Sequence, residues 1–145
     1  GTNICESYYH IEKSPIDKEG WLDTGDMGYL NEESYLYIVD RKKDMINRGG
    51  EKIWCNDVEN EITSLKGVKE SALVGIPSEK YGEVAAAVVV LEKESKLTEE
   101  DIKQKLHDRI AKYMIPEKIL FLEKIPKTPG LKTDKRAIRA LFFPE

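Results

Sequence analysis

The sequence is poor in metal-binding and redox residues. It has only two cysteines, Cys5 and Cys55, and two histidines, His10 and His107. Neither pair has metal-ligand spacing, so no bound metal is expected and reduced thiols are favoured over a disulfide. Long apolar runs are also missing. The longest, residues 84–91, falls far short of the roughly 20 residues a membrane-spanning helix needs. There is no basic excess: the net charge is −4 and the pI about 5.4, which argues against a general binder of nucleic acid or anionic membrane. No internal repeat or low-complexity tract is present. No secretory signal pattern follows Gly1, although the chain is expected to be one part of a longer polypeptide. Reduced thiols and the lack of a spanning segment fit a cytoplasmic location.

What is present is ordinary globular material. The chain is 40% hydrophobic and 34% charged over 145 residues, enough for one domain or for one domain and a piece of another. Residues 1–13 read as a strand and polar loop anchored by Ile4, Tyr8, Tyr9 and Ile11, with turns at Ser14-Pro15 and at residues 18–20. Residues 28–30 and 35–39 read as a hairpin joined by residues 31–34. A second hairpin is expected on either side of Gly49-Gly50, with arms at 45–47 and 52–54. Asn56 and Glu59 have the spacing of a capping box, and Val58, Ile62 and Leu65 step along a helix that Gly67 ends. Residues 68–77 are a strand and 81–83 a turn. Residues 84–91 are a central strand buried on both faces. Thr98 to Asp101 caps a helix with Ile102, Leu106 and Ile110 on one face, where His107 is expected to be a surface or packing residue. Pro116 stops that region, a strand follows at 118–122 with Phe121 in the core, and Asp134 caps a last helix with Ala137, Ile138 and Leu141 inward. The order implies an α+β fold, a small mixed sheet covered by helices and preceded by a short β-hairpin.

Three motifs stand above this background. Residues 40–53 read DRKKDMINRGGEKI, a cluster of cations around a Gly-Gly pair that frees the backbone to turn with positive φ or to approach a ligand closely. Residues 21–26 read WLDTGD and residues 126–132 read PKTPGLK. Each alone has a plain reading: a solvated basic hairpin, an ordinary turn, an exposed lysine. Together, in this order, they resemble the motifs of the adenylate-forming superfamily, which comprises acyl-CoA synthetases, peptide-synthetase adenylation domains and luciferases.

The resemblance implies a division of the chain. Residues 1–40 would be the end of the large N-terminal AMP-binding domain, 41–44 a hinge with Lys43 as the pivot, and 45–145 a mobile C-terminal lid. It assigns Lys132 as the catalytic lysine, Asp26 and Arg41 to the ribose of the nucleotide, and Gly49 and Gly50 to the tunnel for the pantetheine arm of CoA. Asn47 and Lys52 would be further nucleotide or phosphate contacts. In the family the lid rotates about the hinge, offering the lysine for adenylation and then the Gly-Gly hairpin for attack by the thiol. ATP, as Mg-ATP, and CoA would be substrates with a fatty, aryl or other carboxylic acid, and the N-terminal domain would be the partner. The 145 residues alone are expected to be inactive. The family commonly places Pro near residues 55–56, absent here. It usually reads Pro-Lys-Thr-x-Ser-Gly-Lys at the lysine, whereas Gly130 and Leu131 stand here for Ser and Gly. A peptide-synthetase adenylation domain, a luciferase-like enzyme and a non-catalytic phosphate or nucleic-acid module remain the alternatives.

Overall fold

The computed structural model describes residues 9–10, 14 and 16–143. The anchors expected at Ile4, Tyr8 and Ile11, together with Pro15 and Cys5, lie outside the described residues. The chain divides into two compact units, Gly1–Lys43 and Asp44–Glu145.

The first unit is built on the expected hairpin. Strand β1 (Asp26–Leu30) pairs antiparallel with β2 (Leu36–Arg41), with Leu30 opposite Leu36 and Asp26 opposite Arg41. β2 starts one residue later than the sequence pattern predicts and runs on through Asp40 and Arg41. Asn31 makes the turn, its side-chain oxygen accepting from the N–H groups of Glu33 and Tyr35 at 3.1 and 2.9 Å. Gly28 allows the strands to close, because a Cβ there would lie 2.6 Å from the carbonyl oxygen of Tyr37. Tyr29 and Tyr37 stack across the ribbon with ring centres 5.3 Å apart.

The second unit has one mixed sheet, as the pattern implies. β3 (Ile46–Arg48) and β4 (Glu51–Ile53) form the second hairpin, followed by α1 (Cys55–Thr63), β5 (Val68–Ser78), β6 (Gly82–Leu91), α2 (Glu99–His107), β7 (Lys118–Phe121) and α3 (Lys135–Ala140). The strand order is β4-β3-β6-β5, with β7 also on β6. β6 pairs antiparallel with β5 along its length, parallel with β7 over Ala86 to Val89, and with β3 at Gly82 and Arg48. It is therefore the central strand, and its residues from Val84 to Val90 are buried.

Alternation along β6 splits the core in two. Ala85, Ala87 and Val89 pack with Ile53, Val58 and Ile62 around α1 and with Ile102 and Leu106 of α2. Val84, Ala86, Val88 and Val90 face the other way, toward Ile125, Ile138 and Phe142. Each fully buried Ile or Leu contributes about 1.5–3 kcal/mol of apolar burial. α2 starts at the expected cap, which is a capping box: the Thr98 hydroxyl accepts from the Asp101 N–H, and the Asp101 carboxylate accepts from the Thr98 N–H. Asp134 caps α3 through the N–H groups of Arg136 and Ala137.

Several details differ from the sequence reading. α1 begins at Cys55 behind Trp54, which makes no side-chain cap. The Glu59 carboxylate accepts instead from the N–H of Leu73 on β5 at 2.7 Å, so a tertiary donor takes the group that a local cap would use. α1 stops at Thr63, and Gly67, at φ 94°, shapes the following turn. Ile110 lies past the end of α2 but still packs on the first core. Phe121 ends an edge strand and is 41% exposed. Ala137 and Leu141 are exposed, and Phe142 fills the inward position beside Ile138.

Candidate functional site

The sequence-predicted residues fall on two places in each unit. In the first unit, WLDTGD is a turn that sets up a strand. The Asp23 carboxylate accepts from the N–H of Gly25 at 2.9 Å, Thr24 Oγ1 accepts from the N–H of Asp26, and Gly25 is left-handed at φ 73°. The Gly25 N–H, and after it the Lys42 ammonium at 3.2 Å, hold the Asp23 carboxyl below the usual carboxylate range. This delivers Asp26 to the first position of β1, directly across from Arg41. Their side chains meet, Arg41 Nε to Asp26 Oδ1 at 2.7 Å, and both stay partly open to solvent. The unit thus brings together a carboxylate with two acceptor oxygens and a guanidinium fork, a pair suited to the hydroxyls of a sugar diol. The second place in this unit is its end: Lys43 is its last residue, within a single 3-10 turn over Lys42–Asp44.

In the second unit, Gly49 and Gly50 form the two-residue turn between β3 and β4, at φ 59° and 102°. Both angles are left-handed, as the tight turn of a twisted hairpin requires. Asn47 and Lys52 sit opposite each other on this hairpin and are exposed. The Asn47 side-chain oxygen accepts from the N–H of Gly50 at 2.9 Å, so Asn47 closes the turn from within. The turn is open on its outer side: a Cβ on Gly50 would meet nothing within 4 Å.

Lys132 lies on a pinched loop. Lys127 and Thr133 form a β-bridge, the Thr128 N–H donates to the Lys132 carbonyl at 2.8 Å, and the Leu131 N–H donates to the Thr128 carbonyl at 2.9 Å. Lys127 ties the loop to β5 through Glu70 at 2.5 Å. Lys132 itself is exposed, and among the described residues no carboxylate pairs with its ammonium. A cation held on a braced loop and left unneutralised can be presented to an anion. Leu131, beside it, is in the left-handed region at φ 61° with its side chain 82% exposed.

One feature carried no linear signal. An open groove of about 990 Å³ is lined by Arg48, Tyr81, Lys103, His107, Lys112 and Tyr113, with Asp108 and Glu117 as its acidic members. Arg48 lies 3.7 Å over the Tyr81 ring and pairs with Glu117 at 3.2 Å, and Lys103 pairs with Glu99 at 2.7 Å. The Lys80 ammonium, and to a smaller extent the Arg48 guanidinium, hold the Tyr81 hydroxyl below the usual phenol range. Lys112 is exposed and pairs with no carboxylate among the described residues. These groups come from four separate stretches of chain, and only the fold assembles them. His107 is exposed, and its Nδ1 lies 3.9 Å from the neighbouring Asp108 carboxylate. Among the described residues no cluster of His, Cys, Asp or Glu is arranged to hold a metal ion, and no helix is long and apolar enough to cross a membrane.

Comparison with known proteins gives this geometry a context. The family described as AMP-binding enzyme C-terminal domain matches residues 57–132, ending on Lys132. A 2-succinylbenzoate–CoA ligase of Bacillus cereus is 39% identical over 97% of this chain. The match covers 29% of that ligase, so the chain spans less than a third of the length of the curated relative. The crystal structure of ATP-bound MatB from Rhodopseudomonas palustris aligns with 99% of the chain and 29% of its own, at a TM-score of 0.91 and 31% identity. The o-succinylbenzoate CoA synthetase of Bacillus subtilis, in complex with an acyl-adenylate intermediate, aligns with 100% of the chain and 29% of its own, at a TM-score of 0.82 and 33% identity.

Proposed function

Because the chain belongs to the AMP-binding enzyme C-terminal domain family, we propose that it supplies the hinge and lid of an ATP-dependent acyl-CoA synthetase. In that reaction a carboxylate oxygen attacks the α-phosphorus of ATP and pyrophosphate leaves. The thiol of CoA then attacks the acyl carbon and AMP leaves. The observation that carries the reading is the unneutralised Lys132 ammonium on its braced loop. In the first step, negative charge spreads over the phosphoryl oxygens, and a fixed cation there lowers the barrier without moving a proton.

The remaining assignments follow the same chemistry. Asp26 and Arg41, already paired, hold the ribose hydroxyls. Residues 41–44 are the hinge between the end of the N-terminal domain, 1–40, and the lid, 45–145. The boundary between the two compact units, after Lys43, supports the pivot there. Gly49 and Gly50 keep side chains out of the path of the pantetheine arm, and Lys52 serves as a phosphate contact. Asn47 serves the nucleotide side mainly through the turn that it closes. The groove around Lys112 and Tyr113 takes the phosphorylated nucleotide end of CoA, since it offers ring faces and a free cation together. Mg-ATP and a fatty or aryl acid are the co-substrates, the N-terminal domain is the partner, and the cytoplasm is the location. The CoA ligases among the relatives favour this reading over a peptide-synthetase or luciferase-like one.

The test is pyrophosphate release from the polypeptide as its gene encodes it. Lys132→Ala is expected to slow adenylation about 10²–10³-fold. Thiolation of a supplied acyl-adenylate should be spared. Equal loss in both half-reactions refutes the role of Lys132, and robust turnover by the 145 residues alone refutes the lid.

A further inference from the structure

The turn that carries Gly49 and Gly50 depends on a side chain from another strand. In a hairpin with a two-residue loop, the pair flanking the loop exchanges both backbone hydrogen bonds and the next pair does not. Here the flanking pair is Arg48 and Glu51, and the next is Asn47 and Lys52. The Asn47 N–H therefore points away from β4, toward β6. β3 meets β6 only at Arg48 and Gly82. What the Asn47 N–H finds is the carboxylate of Glu83, with Oε2 accepting at 3.1 Å. A second tie holds the same turn, the Gly49 N–H donating to the Tyr81 carbonyl at 2.9 Å.

Glu83 reaches Asn47 by lying across Gly75 on β5. A Cβ on Gly75 would come 2.9 Å from Glu83 Cγ and would overlap the carboxylate itself. Gly75 has no left-handed φ, so space rather than backbone freedom is what its missing side chain provides. Its carbonyl also accepts from Arg139 Nε on α3 at 3.2 Å, which keeps the strand in place.

We infer that Glu83 is a positioning residue for the Gly49-Gly50 turn, and that Gly75 is the seat that lets it act. The functional half of this inference rests on the reading that the turn lines the path of the CoA thiol. A carboxylate on a backbone N–H is a strong, charge-assisted bond, and it sets where the turn stands beside β6.

Two variants attack the tie from opposite ends. Glu83→Ala removes the acceptor. Gly75→Ala leaves the acceptor but occupies its seat. In the 145-residue chain each should speed amide hydrogen exchange at Asn47 by about tenfold or more. Exchange at Leu73 and Ile102 should not change, and the double variant should be no faster at Asn47 than Glu83→Ala. Glu83→Gln keeps an acceptor oxygen and should restore most of the protection. In the whole enzyme, Glu83→Ala should raise KM for CoA or slow thiolation about tenfold, and should slow adenylation by much less. Unchanged exchange at Asn47 in Glu83→Ala would overturn the tie. Fast exchange with normal thiolation would overturn the turn's part in thiolation instead, so the two failures are separable. Should Gly75→Ala misfold, Glu83→Ala against Glu83→Gln still decides.

Discussion

The Thr128 N–H donates to the carbonyl of Lys132 across a turn in which Leu131 holds φ at 61°. A side chain in that region crowds the backbone and costs about 1–2 kcal/mol, a cost glycine does not bear. Leu131 offsets little of this by burial, being 82% exposed. Leu131→Gly is therefore expected to stabilise the chain by roughly 1 kcal/mol, after glycine's larger unfolded-state entropy is allowed for. A urea denaturation midpoint measures it. A β-branched residue at the same place, Leu131→Val, should move the midpoint the other way. A loss of stability in Leu131→Gly would mean that the loop does not hold the left-handed bend.

The groove makes a separate prediction about CoA. Arg48 and Lys103 already have carboxylate partners, whereas Lys112 has none among the described residues. A bound phosphate would therefore draw mainly on Lys112. Lys112→Glu should raise KM for CoA roughly tenfold or more, as expected for a lost charge-assisted contact. KM for ATP should be unchanged, and the effect should shrink at high salt because the site is open to solvent. A matching rise in KM for ATP would assign the groove to the other nucleotide.

Local chemistry was legible in the sequence wherever the physics is local. The Gly49-Gly50 pair allowed a turn with positive φ, and the chain makes one there. Thr98 with Asp101, and Asp134, demanded helix starts and provided them. Residues 84–91 were apolar on both faces, and β6 is central. The misreadings are places where a distant partner decided. Glu59 had the spacing of a cap, but Leu73 on β5 offered a buried N–H. Phe121 looked like core until the strand ended beneath it. At the site, the hairpin expected at 28–30 and 35–39 placed Asp26 near a strand start but could not show that it faces Arg41, since register is set by the Asn31 turn and the Met27/Gly28 bulge. Glu83 had no signal either, because its partners Asn47 and Gly75 lie 36 residues before it and on a different strand.

The N-terminus of α2 gives a pH test of the fold. The Asp101 carboxylate accepts from the Thr98 N–H at 2.9 Å and from the Thr98 hydroxyl at 2.8 Å. The backbone bond first, then the hydroxyl, holds the Asp101 carboxyl below its usual range, and Lys105 adds to the effect. Its folded value thus lies below the unfolded value of about 3.9. The sign follows: the charged cap stabilises the chain in full above that unfolded value and loses its effect as pH falls through the folded one. Asp101→Asn keeps an acceptor oxygen but cannot carry the charge. The stability difference between the chain and this variant should be constant above about pH 5 and should shrink below about pH 3.9 as acid neutralises Asp101. Urea midpoints at neutral pH, at pH about 5 and at pH about 3 measure the difference directly. A difference that stays the same at every pH would show that the charge on Asp101 adds nothing to the cap.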